Sequence, residues 1–164
     1  MSARKIAQSP EELPGRDELL GRSGLEFMRD MLAGKLSGPP ISAALNYTLT
    51  EVAEGRAVFE GEPLFGFTNP MGTLHGGWYG TLLDSCMACA VMTRVPKGSA
   101  YTTLEYKINI LRSIPLGMRV QAVGICQHAG RSTGIASGEI RGLEDGRLYA
   151  TGSTTCIIMD MSAR

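Results

Sequence analysis

The sequence predicts an α+β fold in which an antiparallel sheet wraps around one long central helix, with a shorter helix ahead of it. The first observation behind this is an apolar run from Trp78 to Met92 whose hydrophobic residues fall on nearly every side of a helix. Segments with a period of two flank it on both sides, and Gly, Pro and Asp-Gly breaks separate those segments at about 8–14 residues, the spacing of hairpins. A helix that is apolar nearly all round needs cover on all sides, and a single curved sheet supplies it.

Residues 1–22 are polar, are broken by Pro10, Pro14, Gly15 and Gly21, and show no sustained periodicity, so they are expected to be a flexible leader. Their basic start is followed by no hydrophobic stretch and does not read as a secretory signal. The domain then runs from 23 to 160. Ser23 with Glu26 forms a capping box, and Leu25, Phe27, Met28, Met31 and Leu32 form an apolar stripe, which predicts an amphipathic helix over 24–34. Gly34 and Gly38-Pro39-Pro40 stop it. Ala44 to Val52, a turn at Glu54-Gly55, and Arg56 to Glu62 read as a hairpin. A loop with Pro63, Gly66 and Pro70 leads to the central helix, which Pro96-Lys97-Gly98 ends.

Four strands are expected after it: Thr102 to Leu111, Met118 to Gln127, Thr133 to Arg141 and Leu148 to Met159, read as a meander. The first alternates strictly, with Leu104, Tyr106, Ile108 and Ile110 on one face and Thr103, Glu105, Lys107 and Asn109 on the other. Met161 to Arg164 is a tail.

The 164 residues contain 16 Lys plus Arg against 16 Asp plus Glu, so no bulk charge attracts a nucleic acid or an anionic membrane. The central apolar run is shorter than the roughly 20 residues of a membrane span and contains Asp84. Cys86-x-x-Cys89 has no second pair at ligand spacing, and Cys126 and Cys156 stand apart. The cysteines read as small core residues, with no metal site, in a reducing cytoplasmic compartment.

Asp84 is the residue that most needs a reason, because burying an unpaired carboxylate among Leu82, Leu83, Met87 and Ala88 costs several kcal/mol or raises its pKa. The helix starts at His75-Gly76-Gly77, where free backbone N–H groups and the positive end of the dipole suit a carbonyl oxygen that gains charge. Nine residues separate His75 from Asp84, about 900° of rotation and 13.5 Å of rise, so the two face opposite ways. They can serve one site only across a two-fold dimer. A carboxylate that attacks a carbonyl or deprotonates a water, opposite a polarising N–H, fits acyl transfer to water. There is no G-x-S-x-G elbow.

Asn69-x5-His75-Gly76-Gly77-x6-Asp84, followed by Tyr101 to Asn109, resembles the hotdog-fold acyl-CoA thioesterases of the phenylacetate-pathway type, related to the 4-hydroxybenzoyl-CoA thioesterases. The resemblance covers residues 24–158. It implies that the Gly76 N–H polarises the thioester and that Asn69 holds substrate or water. Asp84 of the neighbouring subunit is then base or nucleophile, and Thr103 assists the water. His75 shapes the loop and supports Asn69, and Gly77 lies against substrate.

Arg112 and the Arg131-Ser132-Thr133 turn are candidates for the phosphates of coenzyme A, which is part of the substrate; no cofactor is implied. The usual assembly is a homodimer, commonly a dimer of dimers. Asn69 before Pro70 also reads as a simple turn residue, and Trp78 and Tyr79 line the acyl pocket or pack at the dimer interface. The alternatives are a non-catalytic acyl-CoA-binding module, for which Asp84 has no use, and a hotdog-fold hydratase or dehydratase, whose Asp/His pattern is absent.

Overall fold

A computed structural model describes residues 5–161, so residues 1–4 of the expected leader and 162–164 of the expected tail lie outside the described residues. A 3-10 turn at Pro10–Glu12 precedes helices α1 (Arg16–Leu20), α2 (Gly24–Leu32) and α3 (Pro40–Ala44). Strands β1 (Tyr47–Ala53) and β2 (Arg56–Gly61) follow, then a 3-10 turn at Phe65–Phe67 and helix α4 (Gly76–Met92). The chain ends in β3 (Ser99–Ile110), β4 (Val120–Ala129), β5 (Thr133–Gly142) and β6 (Leu148–Asp160).

All six strands form one antiparallel sheet in the order β1-β2-β4-β5-β6-β3. α4 lies against β2, β3, β4, β5 and β6. This is the expected hotdog arrangement, and it explains why Leu82, Leu83, Met87 and Val91 are all fully buried although they point in different directions. Burying each such side chain contributes about 1.5–3 kcal/mol. The helix can approach this closely because the sheet beneath it carries glycine: a Cβ on Gly124 would fall 2.0 Å from the Cys86 carbonyl oxygen.

Three expectations change. The last four strands are not a simple meander, because β3 pairs with β6 at the sheet edge while β4 pairs with β2. The hairpins β4-β5 and β5-β6 therefore sit between the two strands that flank α4 in sequence. The strict alternation in β3 also fails, because the register with β6 shifts between Thr103 and Glu105. Such a bulge leaves one residue unpaired and moves the side-chain alternation by one. Thr103 before it and Tyr106, Ile108 and Ile110 after it all face α4, whereas Leu104 is 61% exposed.

The leader is the third change. Residues 5–22 carry structure rather than forming a loose arm: Ile6 bridges to Gly38, Ala7 N–H donates to the Gly38 carbonyl at 3.0 Å, and Ala7 is buried. Leu19 packs on the core, and the Gly98 N–H donates to the Leu20 carbonyl. Composition hid this because only a few apolar residues there make the contacts. The Ser23–Glu26 capping box forms as expected, with Glu26 Oε2 accepting from the Ser23 N–H at 2.8 Å and Ser23 Oγ accepting from the Glu26 N–H at 3.3 Å. In the tail, the Met161 N–H donates to the Gly98 carbonyl.

Candidate active site

Helix α4 is covered on every side but one. Gly77 is exposed and Thr81, Asp84, Ser85 and Cys89 are half-buried, a stripe at helical spacing along the face away from the sheet. Asp84 is the one ionisable carboxylate in it. Thr103 Oγ1 on β3 donates a hydrogen bond to Asp84 Oδ1 at 3.0 Å, as their candidacy for one site requires. Burial pushes the Asp84 carboxyl above its ordinary range, and the Thr103 hydrogen bond opposes this by favouring the charged form. The result is a carboxylate held in place, short of full hydration, and more basic than a surface Asp.

At the start of α4 the loop 69–75 is built around Asn69. Its Oδ1 accepts from the Met71 N–H at 2.9 Å and the Thr73 N–H at 3.3 Å, and its Nδ2 donates to Thr73 Oγ1 at 2.8 Å. Gly72 closes the loop at φ +75°, a conformation that favours glycine. In this chain, then, the Asn69 side chain is occupied by the turn. His75 is the N-cap of α4, and its Nδ1 accepts from the Gly77 N–H at 2.9 Å.

That bond changes the count of free donors. The Gly77 N–H, expected to face substrate, is taken by His75, whereas the Gly76 N–H donates to nothing among the described residues. Among the described residues His75 makes no hydrogen bond to Asn69; it shapes the helix start directly. An open cleft of about 400 Å³ runs past His75, Gly77 and Thr81.

α4 and β3 run antiparallel, with Gly76 beside Ile110, Gly80 beside Tyr106 and Asp84 beside Thr103. The helix is unbroken from Gly76 to Met92, so its start and Asp84 stand apart as the nine-residue step requires. Within one chain they do not form one site.

The candidate phosphate ligands are also divided. Arg112 lies just past the end of β3, with its Nη1 donating to the Leu148 carbonyl at 2.6 Å. Arg131 and Ser132 are exposed in the β4-β5 turn, and Thr133, which starts β5, aligns through Ile157 with Thr102 near the other end of β3. Ten residues of strand, about 33 Å, separate the two ends.

Trp78 borders the cleft beside His75 and Gly77, whereas Tyr79 lines none of the described pockets. Both are buried, with Trp78 Nε1 donating to the Leu45 carbonyl and Tyr79 OH accepting from the Ile114 N–H. All four cysteines are free, and burial pushes the Cys86 and Cys89 thiols upward, away from thiolate reactivity. Sequence reasoning passed over Ser85 and Tyr47, whose hydroxyls lie 3.0 Å apart beside Asp84. The four-residue spacing of Gly77, Thr81, Ser85 and Cys89 was the available signal.

Comparison with known proteins agrees with this fold. The Thioesterase superfamily profile matches residues 71–149, which include α4, β3 and Asp84. A mutant of the phenylacetic acid degradation protein PaaI from Thermus thermophilus is 30% identical, with a TM-score of 0.65 over 72% of this chain and 97% of that one. A hypothetical thioesterase from Streptococcus pneumoniae, solved with coenzyme A, is 28% identical with a TM-score of 0.65 over 73% of this chain and 91% of that one. Acyl-coenzyme A thioesterase 13 of Mus musculus is 27% identical over 108 residues, 66% of this chain and 76% of the mouse protein. The Thermus protein, at 30% identity, is matched over 97% of its length; the chain belongs to the thioesterase superfamily and is a thioester hydrolase.

Proposed function

We propose that this enzyme hydrolyses acyl-CoA thioesters at sites shared between two subunits. The observation that carries the reading is the pairing of a half-buried, Thr103-bonded Asp84 in the middle of α4 with an undonated Gly76 N–H at the start of the same helix. The Gly76 N–H of one subunit donates to the thioester oxygen, and Asp84 of the other acts as general base or nucleophile. Water adds to the carbonyl carbon, the C–S bond breaks, and the thiolate leaves to take up a proton. Asn69 and His75 hold the loop that presents Gly76, and Thr103 holds Asp84. The mouse relative is named for acyl-CoA, and the Streptococcus neighbour was solved with coenzyme A.

The open edge of β3 supports dimerisation. Leu104, Tyr106 and Ile110 are all at least 46% exposed along it, on a strand with an unpaired side. If two β3 edges pair antiparallel about a two-fold axis beside Tyr106 and Lys107, Ile110 of one meets Thr103 of the other. Each Gly76 then faces the partner's Asp84. The same operation sends Arg112 toward the end of the sheet where the partner's Arg131, Ser132 and Thr133 lie, which is where one CoA needs both cations. A dimer of such dimers and a cytoplasmic location belong to the same reading; among the described residues no helix is long and apolar enough to cross a membrane.

The test mixes inactive Asp84→Ala subunits with inactive Gly76→Pro subunits and measures thiol release from acyl-CoA. Shared sites give heterodimers one intact site and restore about half the wild-type rate. Verified heterodimers with no recovered turnover would refute the shared site.

A further inference from the structure

The open stripe of α4 does not stay open. Beyond Asp84 it passes under the N-terminal segment, and the space between them is a cavity of about 250 Å³. Its floor on α4 runs from Ser85 through Cys89 to Met92, a rise of about 10 Å along the helix. Ile6, Leu19, Phe27 and Met31 form the roof, with Leu49 of β1 and Tyr101 of β3 at the sides. The far end closes where α2 is seated on the end of α4, the Gly24 N–H donating to the Val95 carbonyl at 2.9 Å.

The walls are mostly apolar, with Lys5, Ser42, Thr48 and Ser85 the polar residues among side chains such as Ile6, Phe27 and Leu49. The two hydroxyls at the Asp84 end, Ser85 Oγ and Tyr47 OH, lie 3.0 Å apart and pair with each other. Among the described residues no buried side-chain nitrogen or oxygen lacks a hydrogen-bond partner. A void of this size is costly to a fold that gains nothing from it. Most of the wall, from Lys5 to Phe59, lies outside the span 71–149 that matches the family. The backbone ties of Ala7 N–H to the Gly38 carbonyl and Gly38 N–H to the Lys5 carbonyl hold the first part of the roof in place.

We propose that this cavity receives the acyl chain of the thioester, that it suits a chain of about eight carbons, and that the segment from Ile6 to Met31 sets that length. The length follows from two measures. At about 30 Å³ per packed group, the volume a water occupies in the liquid, the cavity holds about eight heavy atoms. An extended carbon chain advances about 1.25 Å per bond, so eight bonds match the 10 Å floor. The proposal rests on the reading of Asp84 as the catalytic carboxylate, since the carbonyl must stop beside it for the chain to enter.

Two measurements separate the pocket from the chemistry. The first is affinity for S-alkyl-CoA thioethers, which cannot be hydrolysed, from ethyl to hexadecyl; the second is thiol release from the matching acyl-CoA series. In the wild type, affinity and kcat/KM should rise about four-fold per methylene and stop rising near eight carbons. Met31→Trp, which fills the cavity, should lower the octanoyl-to-butyryl ratio at least ten-fold in both measurements. Met31→Ala should move the optimum to longer chains, and it keeps the test decisive should the tryptophan variant fail to fold. Chain-length dependence in thioether binding without thiol release from any thioester would leave the pocket standing and overturn the hydrolytic reading. Thiol release with flat chain-length profiles, or profiles unchanged in the folded Met31 variants, would overturn the pocket.

Discussion

Replacing Gly76 by proline removes the one backbone donor assigned to the thioester oxygen and leaves the fold otherwise intact. Gly76 is the first residue of α4, where proline is well tolerated because that N–H has no helical partner. The preceding His75 has φ −67° and ψ 137°, the extended conformation a residue before proline prefers. No hydrogen bond within the fold is lost, since the Gly76 N–H donates to nothing among the described residues. An added Cβ would lie 3.5 Å from Ile110 Cδ1, an ordinary contact. Gly76→Ala therefore controls for the added carbon while keeping the donor. Loss of a single oxyanion donor costs about 2.7–4 kcal/mol, or 10²–10³ in kcat. Thiol release from acyl-CoA should fall by that factor in Gly76→Pro relative to Gly76→Ala, with the same melting temperature. A proline variant within about three-fold of the alanine variant would show that this N–H does not hold the developing oxyanion.

Asp84→Asn should abolish most thiol release and also remove a pH effect on stability. The carboxyl's folded value is raised by burial, so between the ordinary Asp value of about 3.9 and that raised value the native state holds more protons than the unfolded one. Stability from Asp84 is thus present below the window and lost as pH rises through it. The melting temperature of Asp84→Asn relative to wild type should climb across the same window; parallel pH profiles would count against burial as the cause. Gly124→Ala would place a methyl group against the backbone of α4 at Cys86, where neither side can yield. Thermal denaturation should show a loss of about 3 kcal/mol or failure to fold, and a loss under about 0.5 kcal/mol would mean the helix can lift off the sheet there.

The elements that carried a strong local pattern were legible from the sequence. The capping box at Ser23, the hairpin at Glu54-Gly55 and the apolar run of α4 each depend on residues close together in the chain, and each is present. Asp84 and Thr103 were legible as a pair through their resemblance to a family, and the hydrogen bond between them places them together. What stayed hidden depends on partners far apart. The strand order rests on which hairpin β3 abandons, and nothing within β3 records that β6 lies beside it. The N-terminal segment is held by a few contacts from Ile6, Ala7 and Leu19, too few to alter its polar average.

The bulge in β3 shows most plainly how a local rule fails at a functional position. Read by alternation alone, Thr103 belongs with Glu105 and Lys107 on the face opposite Tyr106 and Ile110. A strand without a bulge would force a choice between placing Thr103 against Asp84 and placing Tyr106 against Gly80. The shift between Thr103 and Glu105 allows both contacts, and the unpaired position falls on Leu104 at the open edge of the sheet. Bulges concentrate at edges and beside active sites because they re-aim a side chain at little cost to the ladder. Here the re-aimed side chain holds the carboxylate, and the displaced one adds a leucine to the edge on which the second subunit is proposed to dock. The same extra residue thus bears on both halves of the proposed shared site.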